Sequence, residues 1–214
     1  MTPFGSYIVL TEPVPDLLAE IGWTGGEAIT DGRMFLHYFR TTPDGRVLMG
    51  SGSGPIGFGG RVGRRFYHDA PTVARAETGL RLLLPGLAPA RIEHAWGGPI
   101  DVSADHLPVF GTVPGGRIHF GAGYTGNGVG PSWLGGKILA SLALGTDDEW
   151  SRLPFVGRKV KKLPPEPFNF LGGSLVRRAM LSVEDAEEAG RRPPAPARFV
   201  ASLPERLGLR IGTR

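Results

Sequence analysis

The chain has 214 residues, 41% of them hydrophobic, a formal net charge of +4 and no cysteine. That length is sufficient to bury the core of one large or two small domains. The lack of cysteine excludes disulfides, cysteine-ligated metal sites and a thiol nucleophile, and no apolar run reaches the 18 residues that a membrane span requires.

The N-terminus has no basic stretch that leads into an apolar one, so no secretory signal is predicted and we expect a cytoplasmic protein. Basic charge is concentrated late in the chain: from Ser151 onward there are 13 Lys and Arg against 6 Asp and Glu, and before it 11 against 14. These basic residues lie among prolines and acids without interleaved aromatic residues, so nucleic-acid binding is not predicted.

The first part of the chain is predicted to form strands of a sheet. Ser6 to Thr11 has strand composition, and a short helix follows through Ile21 with Asp16 as its cap. Residues 34 to 40 and 47 to 49 flank a turn that contains Pro43, Asp44 and Gly45, which predicts a β-hairpin.

Alternation along the first hairpin strand separates two faces. Tyr38 and Arg40 share one face, where the guanidinium can pair with a substrate carboxylate, or Arg40 merely sits at the turn and Tyr38 packs. His37 lies on the other face; it is a substrate-binding candidate, but a core or edge histidine is the favoured interpretation because no partner carboxylate can be assigned.

The glycine-rich segment 50 to 63 lacks the GK[ST] of a phosphate-binding loop, so it is interpreted as a mobile loop beside a substrate cavity. The apolar spacing over residues 70 to 84 predicts a helix that packs on the sheet.

Three further strands are predicted, at 91 to 96, 109 to 112 and 118 to 120, with residues 97 to 108 as a loop. Asp101, Asp105 and His106 match no metal motif, and no metal site is predicted. A helix is expected from about 174 to 189, followed by a linker with the sequence GRRPPAPAR.

Residues 117 to 145 are the most informative segment, since a strand, a glycine-crowded turn and an amphipathic helix follow one another directly. Glycines let the backbone turn under a planar or anionic group, and the unpaired N–H groups of the first helical turn favour an electron-rich edge. Gly121, Gly123 and Gly126 also complete GxGxxG. A nicotinamide site needs a second parallel strand after the helix, and the proline-rich sequence there predicts none.

Several blocks in order resemble the FAD-dependent oxidoreductases of the D-amino-acid oxidase (DAO) family, including its gamma-glutamylputrescine oxidase-like members. The blocks are GSYIVLTEPVP at 5 to 15, HYFRTTPDGRVLMG at 37 to 50, AWGGPIDVSADHLPVFG at 95 to 111, GAGYTGNGVG at 121 to 130, GGKILASLALG at 135 to 145 and LPPEPF at 163 to 168.

This resemblance implies an α+β fold: an antiparallel or mixed substrate-domain sheet with packed helices, plus the C-terminal strand-turn-helix of an FAD-binding domain. It divides the chain into a partial substrate-binding sheet domain (1 to 95), the C-terminal part of the FAD-binding domain (96 to 145) and a basic, proline-rich C-terminal extension (146 to 214). The family's N-terminal GxGxxG unit is missing before residue 121, so we expect the C-terminal half of such an enzyme.

The resemblance also implies the site residues. The turn residues expected to touch a noncovalently bound FAD are Gly123, Tyr124, Thr125, Gly126, Asn127, Gly128 and Val129. Trp96 is expected to line the active site beside the flavin. The structural alternatives are that Trp96 is a buried residue at a strand end and that the glycine turn is needed only for close packing of helix and strand.

Two functions stay open. The first is the C-terminal portion of an enzyme that oxidises a small-molecule amine or amino acid by hydride transfer to FAD, joined to a separate N-terminal FAD-binding half. The alternative is a non-enzymatic fragment or subunit that keeps the fold without binding FAD alone.

Overall fold

The structure, a computed structural model, describes residues 1–209. Its main element is a five-stranded antiparallel sheet in the order β2-β3-β4-β1-β5. The strands are β1 (Thr2–Thr11), β2 (Ala28–Thr30), β3 (His37–Thr41), β4 (Val47–Ser51) and β5 (Ile92–Val102). The predicted hairpin is confirmed, because β3 and β4 pair with Tyr38 opposite Gly50 and Thr41 opposite Val47.

One face of this sheet is covered by α2 (Ala70–Leu83), with α1 (Pro15–Glu20) beside it. Val9, Val47, Met49, Ala76 and Leu80 are fully buried between sheet and helix. The predicted helix over 70 to 84 is thus confirmed, and its apolar stripe is the core. The predicted cap of α1 is wrong: Val14 is the N-cap residue and Asp16 lies inside the first turn.

β5 is longer than the sequence indicates, since it continues through residues 97 to 102, which were predicted as a loop. It pairs with β1 over this whole length, with Trp96 opposite Ile8 and Ile100 opposite Phe4. Gly97, Gly98 and Pro99 suggested an irregular segment, but β5 is an edge strand, where a proline is tolerated. The predicted division at residue 95 therefore falls within a continuous strand.

A second, two-stranded sheet pairs β6 (Val109–Thr112) with β7 (His119–Ala122). The glycine-rich turn leads from β7 into α3 (Pro131–Leu144), which ends at Gly145 in the left-handed conformation, φ 66°. The predicted strand-turn-helix is confirmed.

The segment after Gly145 ends in two packed helices, α4 (Phe168–Glu188) and α5 (Ala195–Arg206). α4 begins before the predicted residue 174, and α5 replaces part of the predicted linker. Val176 and Met180 of α4 pack with Phe35 in a second hydrophobic cluster. Residues 210 to 214 of the predicted extension lie outside the described residues.

The α+β fold with an antiparallel sheet and packed helices is confirmed. Within residues 1–209, no helix is both long and apolar enough to cross a lipid bilayer.

Candidate functional site

The turn between β7 and α3 has an unusual backbone. Gly123 and Gly126 have φ of 82° and 81°, and Thr125 between them has φ of 54°. Residues other than glycine rarely adopt this left-handed backbone conformation. The turn therefore depends on its two glycines and holds Thr125 in a strained backbone conformation.

The end of β5 holds this conformation in place. The Asp101 carboxylate accepts a hydrogen bond from the Gly123 N–H, and the Asp101 carbonyl accepts one from the Thr125 N–H at 3.1 Å. The Ser103 N–H donates to Oγ1 of Thr125 at 3.2 Å. Because Ser103 is fully buried, these bonds fix the strained Thr125 from within the molecule.

Tyr124 anchors the turn to α3. Its ring meets Phe110 edge-on, with the centroids 6.0 Å apart. A Cβ at Gly135 of α3 would lie 2.3 Å from the Tyr124 hydroxyl, so this glycine is required for the approach. Burial, followed by the negative charge of Asp101, raises the pKa of Tyr124, which keeps the phenol protonated.

α3 begins directly behind the turn, with Gly130 as N-cap and Pro131 as first residue. The Ser132 N–H donates to the Gly128 carbonyl at 2.8 Å. Within residues 1–209, the amide groups of Gly126, Gly128 and Val129 donate no hydrogen bond, and Val129 is 95% exposed. The turn thus offers amide donors together with the positive end of the α3 dipole.

A cavity of about 750 Å³ lies against this turn. Its walls are four turn residues (Tyr124, Gly126, Gly128 and Val129), Ser132, residues 1 to 3, residues 99 to 101, and Gly60 and Val62 of the glycine-rich loop. A volume of this size is in the range of small-molecule and cofactor sites. The apolar wall residues Val62, Ile100 and Val129 suit a planar ring.

The expected position of Trp96 beside the flavin stays a prediction, because neither Trp96 nor the hairpin is part of the wall of this cavity. The reason is the length of β5. The turn contacts β5 at Ile100, whose Cδ1 would lie 3.3 Å from a Cβ at Gly126. Trp96 lies in the middle of the strand, four residues or about 13 Å from Ile100.

Trp96 instead belongs to the face of the sheet opposite α2. Pairing and alternation place Tyr38, Ile8 and Trp96 on this face, and Ile100 continues it to the cavity. The Tyr38 hydroxyl and the Ser6 Oγ are 3.1 Å apart, and Trp96 is 41% exposed. We name this the open face of the sheet: Ser6, Ile8, Tyr38, Trp96, Gly98 and Ile100.

Arg40 lies at the end of the open face. It is exposed, and its Nε donates to the Thr41 carbonyl at 3.1 Å. One edge of the guanidinium is occupied by this local bond, and the remaining N–H groups face solvent. The structure therefore brings Tyr38 and Arg40 to one face, as the alternation predicts.

Gly50 determines where the Tyr38 ring lies. A Cβ at Gly50 would come within 2.0 Å of Tyr38 Cζ, so we expect Gly50→Ala to push the ring away and break its bond to Ser6. Loss of one such bond costs about 1 kcal/mol. Chemical denaturation checks the cost, and Tyr38 ring resonances check the displacement; unchanged resonances would contradict the assigned position.

His37 is on the opposite face and is 1% exposed. Its Nδ1 lies 2.8 Å from Oδ2 of Asp31, the partner that the sequence did not identify. A Cβ at Gly79 of α2 would lie 2.3 Å from its Nε2. The structure thus separates His37 from Tyr38, Arg40 and Trp96, and a substrate contact by His37 stays a prediction without a route from the open face.

Sequence reasoning missed the role of Asp101 and Ser103, because it considered the acidic loop only for metal binding. In the described part of the chain, no group of His, Asp and Glu side chains could hold a metal ion. Asp105 instead pairs with Arg158, with Nη1 and Oδ2 2.7 Å apart, and the arginine lowers the pKa of Asp105. Asp101 lies 22 residues before Gly123, so no local sequence signal links this carboxylate to the turn.

The fold and the site together define a class of protein: an α+β unit with a glycine-rich turn beside a cavity at the start of its helix α3. The single bridge between Phe110 and Val156 is the only strand-like pairing that involves residues 145–209. A nicotinamide-binding βαβ unit at Gly121 therefore does not form.

Comparison with known proteins assigns the chain to a family of this class. The family model described as FAD dependent oxidoreductase (DAO) matches residues 1–142, and the chain belongs to this family. A probable oxidoreductase OrdL of Haemophilus influenzae is 31% identical over 168 residues, which are 75% of this chain and 36% of the relative. Gamma-glutamylputrescine oxidoreductase of Escherichia coli is 27% identical over 76% of this chain and 37% of its own length.

The chain thus spans about a third of the length of these curated relatives. Among solved structures, glycine oxidase from Geobacillus kaustophilus is similar, with a TM-score of 0.56 and 22% identity over 75% of this chain and 40% of that protein. Iminodiacetate oxidase from Chelativorans sp. BNC1 has a TM-score of 0.52 and 20% identity, over 69% of this chain and 37% of that protein. These likenesses support the fold.

Proposed function

We propose that this chain provides the flavin-contacting turn and the substrate-side sheet of an FAD-dependent oxidoreductase that acts on an amine or amino acid. The observation that carries the proposal is the turn at 123 to 129: Gly126, Gly128 and Val129 line a cavity at the start of α3, and their amide groups donate no hydrogen bond within residues 1–209. A noncovalent flavin fits this donor set, because neutral amides and a helix N-terminus suit an electron-rich ring edge.

FAD, when bound, supplies a two-electron acceptor for the C–H bond beside the substrate nitrogen. The protein residues bind and orient. The amides of Gly126, Gly128 and Val129 would stabilise negative charge on a ring edge without a cationic side chain. Asp101, fixed by its bonds to the turn, keeps these amides in position.

The open face of the sheet is the proposed substrate side. Trp96 presents an exposed aromatic surface that would exclude water from a bound substrate, and Tyr38 presents a hydroxyl that lies beside the Ser6 Oγ. Arg40 would pair with a substrate carboxylate. The names of the relatives support the substrate class: they include a gamma-glutamylputrescine oxidoreductase, a glycine oxidase and an iminodiacetate oxidase.

A separate N-terminal FAD-binding half is the proposed partner. Apolar side chains around β7 and α3 are uncovered: Ile118 is 64% exposed, Trp133 66% and Leu144 78%. A second unit that packs on this surface would bury them and would supply contacts to the remainder of FAD. We therefore propose that the chain alone retains FAD weakly.

Flavin content tests this proposal. The chain is purified alone and after co-expression with a strand-GxGxxG-helix half from a relative, and FAD is quantified by absorbance. We expect little flavin alone and stoichiometric flavin in the complex, with bleaching when an amine or amino acid is added. Stoichiometric flavin on the chain alone would overturn the partner proposal, and a stable complex without flavin would overturn the FAD proposal.

A further inference from the structure

The glycine-rich loop at residues 52 to 62 forms part of the cavity wall through Gly60 and Val62. Its first half is bonded to β1: the Gly54 N–H donates to the Gly5 carbonyl at 3.0 Å, and the Gly57 N–H to the Pro3 carbonyl at 3.0 Å. Gly59 and Gly60, at the tip, have left-handed φ of 61° and 71°. The tip therefore depends on other contacts for its position.

Those contacts come from the segment that leads into α4. Oε1 of Glu166 accepts a hydrogen bond from the Gly59 N–H at 2.8 Å, and its Oε2 accepts one from the Phe170 N–H at 3.0 Å. The Phe170 ring meets the Phe58 ring edge-on, with the centroids 5.5 Å apart. Glu166 thus joins the loop tip to the first turn of α4.

Two turns further along α4, Arg177 holds the base of the same loop. Its Nε donates to the carbonyls of Ser53 at 2.9 Å and Gly54 at 2.6 Å. Burial lowers the pKa of Arg177, so these carbonyls compensate a guanidinium withdrawn from water. Truncating the side chain would leave them without their donor.

We propose that residues 166 to 177 are a positioning strap, in which Glu166, Phe170 and Arg177 hold the loop so that Gly60 and Val62 close one side of the cavity. The strap lies beyond residues 1–142, the part matched by the family model. The inference rests on the proposed function only for the identity of the ligand, FAD.

The Glu166 contact has a defined pH range. Desolvation raises the pKa of Glu166, but the hydrogen bonds from Gly59, Phe170 and Asn169 together outweigh it, so the pKa lies below its ordinary value of 4.5. Because the pKa of Glu166 is lower in the folded chain than in the unfolded chain, the contact stabilises the fold at pH values above the unfolded-state pKa. This stabilisation is lost as the pH falls through the folded-state pKa. At neutral pH the Glu166 carboxylate is charged and can accept the hydrogen bonds from Gly59 and Phe170.

Amide hydrogen exchange of the full chain tests the strap. In Glu166→Ala we expect amides 58 to 62 to exchange about tenfold faster, equivalent to about 1.4 kcal/mol, while amides in β3 and β4 keep their protection. Glu166→Gln retains one oxygen acceptor and is expected to be intermediate. In Arg177→Met the acceleration should extend to residues 53 to 57.

Glu188→Gln is the matched control, because Glu188 binds Arg33 at 3.3 Å at the other end of α4 and does not touch the loop. Unchanged exchange at residues 58 to 62 in Glu166→Ala would overturn the strap proposal.

FAD titration separates the strap proposal from the proposed function. If the wild-type chain binds no FAD, alone or with its partner half, the proposed function fails. The exchange result still shows whether Glu166 holds the loop. If the loop loosens but FAD affinity stays at the wild-type value, the positioning role is overturned.

Discussion

Gly126→Val is expected to weaken FAD binding at least about tenfold, or 1.4 kcal/mol. Gly126 has φ of 81°, where a β-branched side chain costs about 1–2 kcal/mol. The new Cβ would also meet Ile100 Cδ1 at 3.3 Å. The backbone would leave the left-handed region and carry the amides that line the cavity out of position.

Gly130→Ala is the control in the same glycine run. Gly130 has φ of −68°, and a Cβ there would have no neighbour within 4 Å. FAD titrations of wild type and both variants, each with the N-terminal half present, compare the two positions. Equal losses in both variants would show that the glycines act through general packing rather than through a fixed turn.

Gly54→Ala is expected to destabilise the fold by about 3 kcal/mol, at the upper end of overpacking effects. A Cβ at Gly54 would lie 2.4 Å from the Gly5 carbonyl oxygen and 2.7 Å from its Cα. These are backbone atoms of β1, so no side chain can move aside. The clash would also break the Gly54-to-Gly5 hydrogen bond and shift the loop that borders the cavity.

Two residues earlier, Gly52 provides the comparison, since a Cβ there has no neighbour within 4 Å. Gly52→Ala is expected to change the free energy of unfolding by less than about 0.5 kcal/mol. Urea denaturation measures both variants, and the difference corresponds to a Tm shift of about 10 °C for Gly54→Ala. Similar midpoints would mean that the loop does not approach β1 as closely as described.

Local patterns predicted the regular elements well. The hairpin was correct because turn residues separate two alternating strands, and the period of α2 matched its buried stripe. Apart from the cap of α1, the errors came from glycine and proline. Pro99 suggested a loop, but it lies on an edge strand. Pro194 and Pro196 suggested a linker, but they occupy the start of α5, where proline is compatible with a helix.

The candidate site was predictable only in part, because its supports are distant in sequence. The glycine spacing located the turn, but the bonds of Asp101 and Ser103 to it span about 20 residues. The contact between Glu166 and Gly59 spans 107. Neither pairing leaves a periodic pattern in the sequence. Likewise, the separation of Trp96 from the cavity follows from the length of β5. Gly97 and Gly98 made this part of the strand look like a loop in the sequence.

The most direct test of the central claim is an NMR titration of the ¹⁵N-labelled chain with FAD. Weak binding suffices, because chemical shifts report contacts at millimolar affinity. We expect the largest shifts at the amides of Gly126, Gly128 and Val129, with smaller ones at Gly60 and Val62. Shifts confined to other surfaces, or no shift at these amides at millimolar FAD, would contradict a flavin-contacting turn.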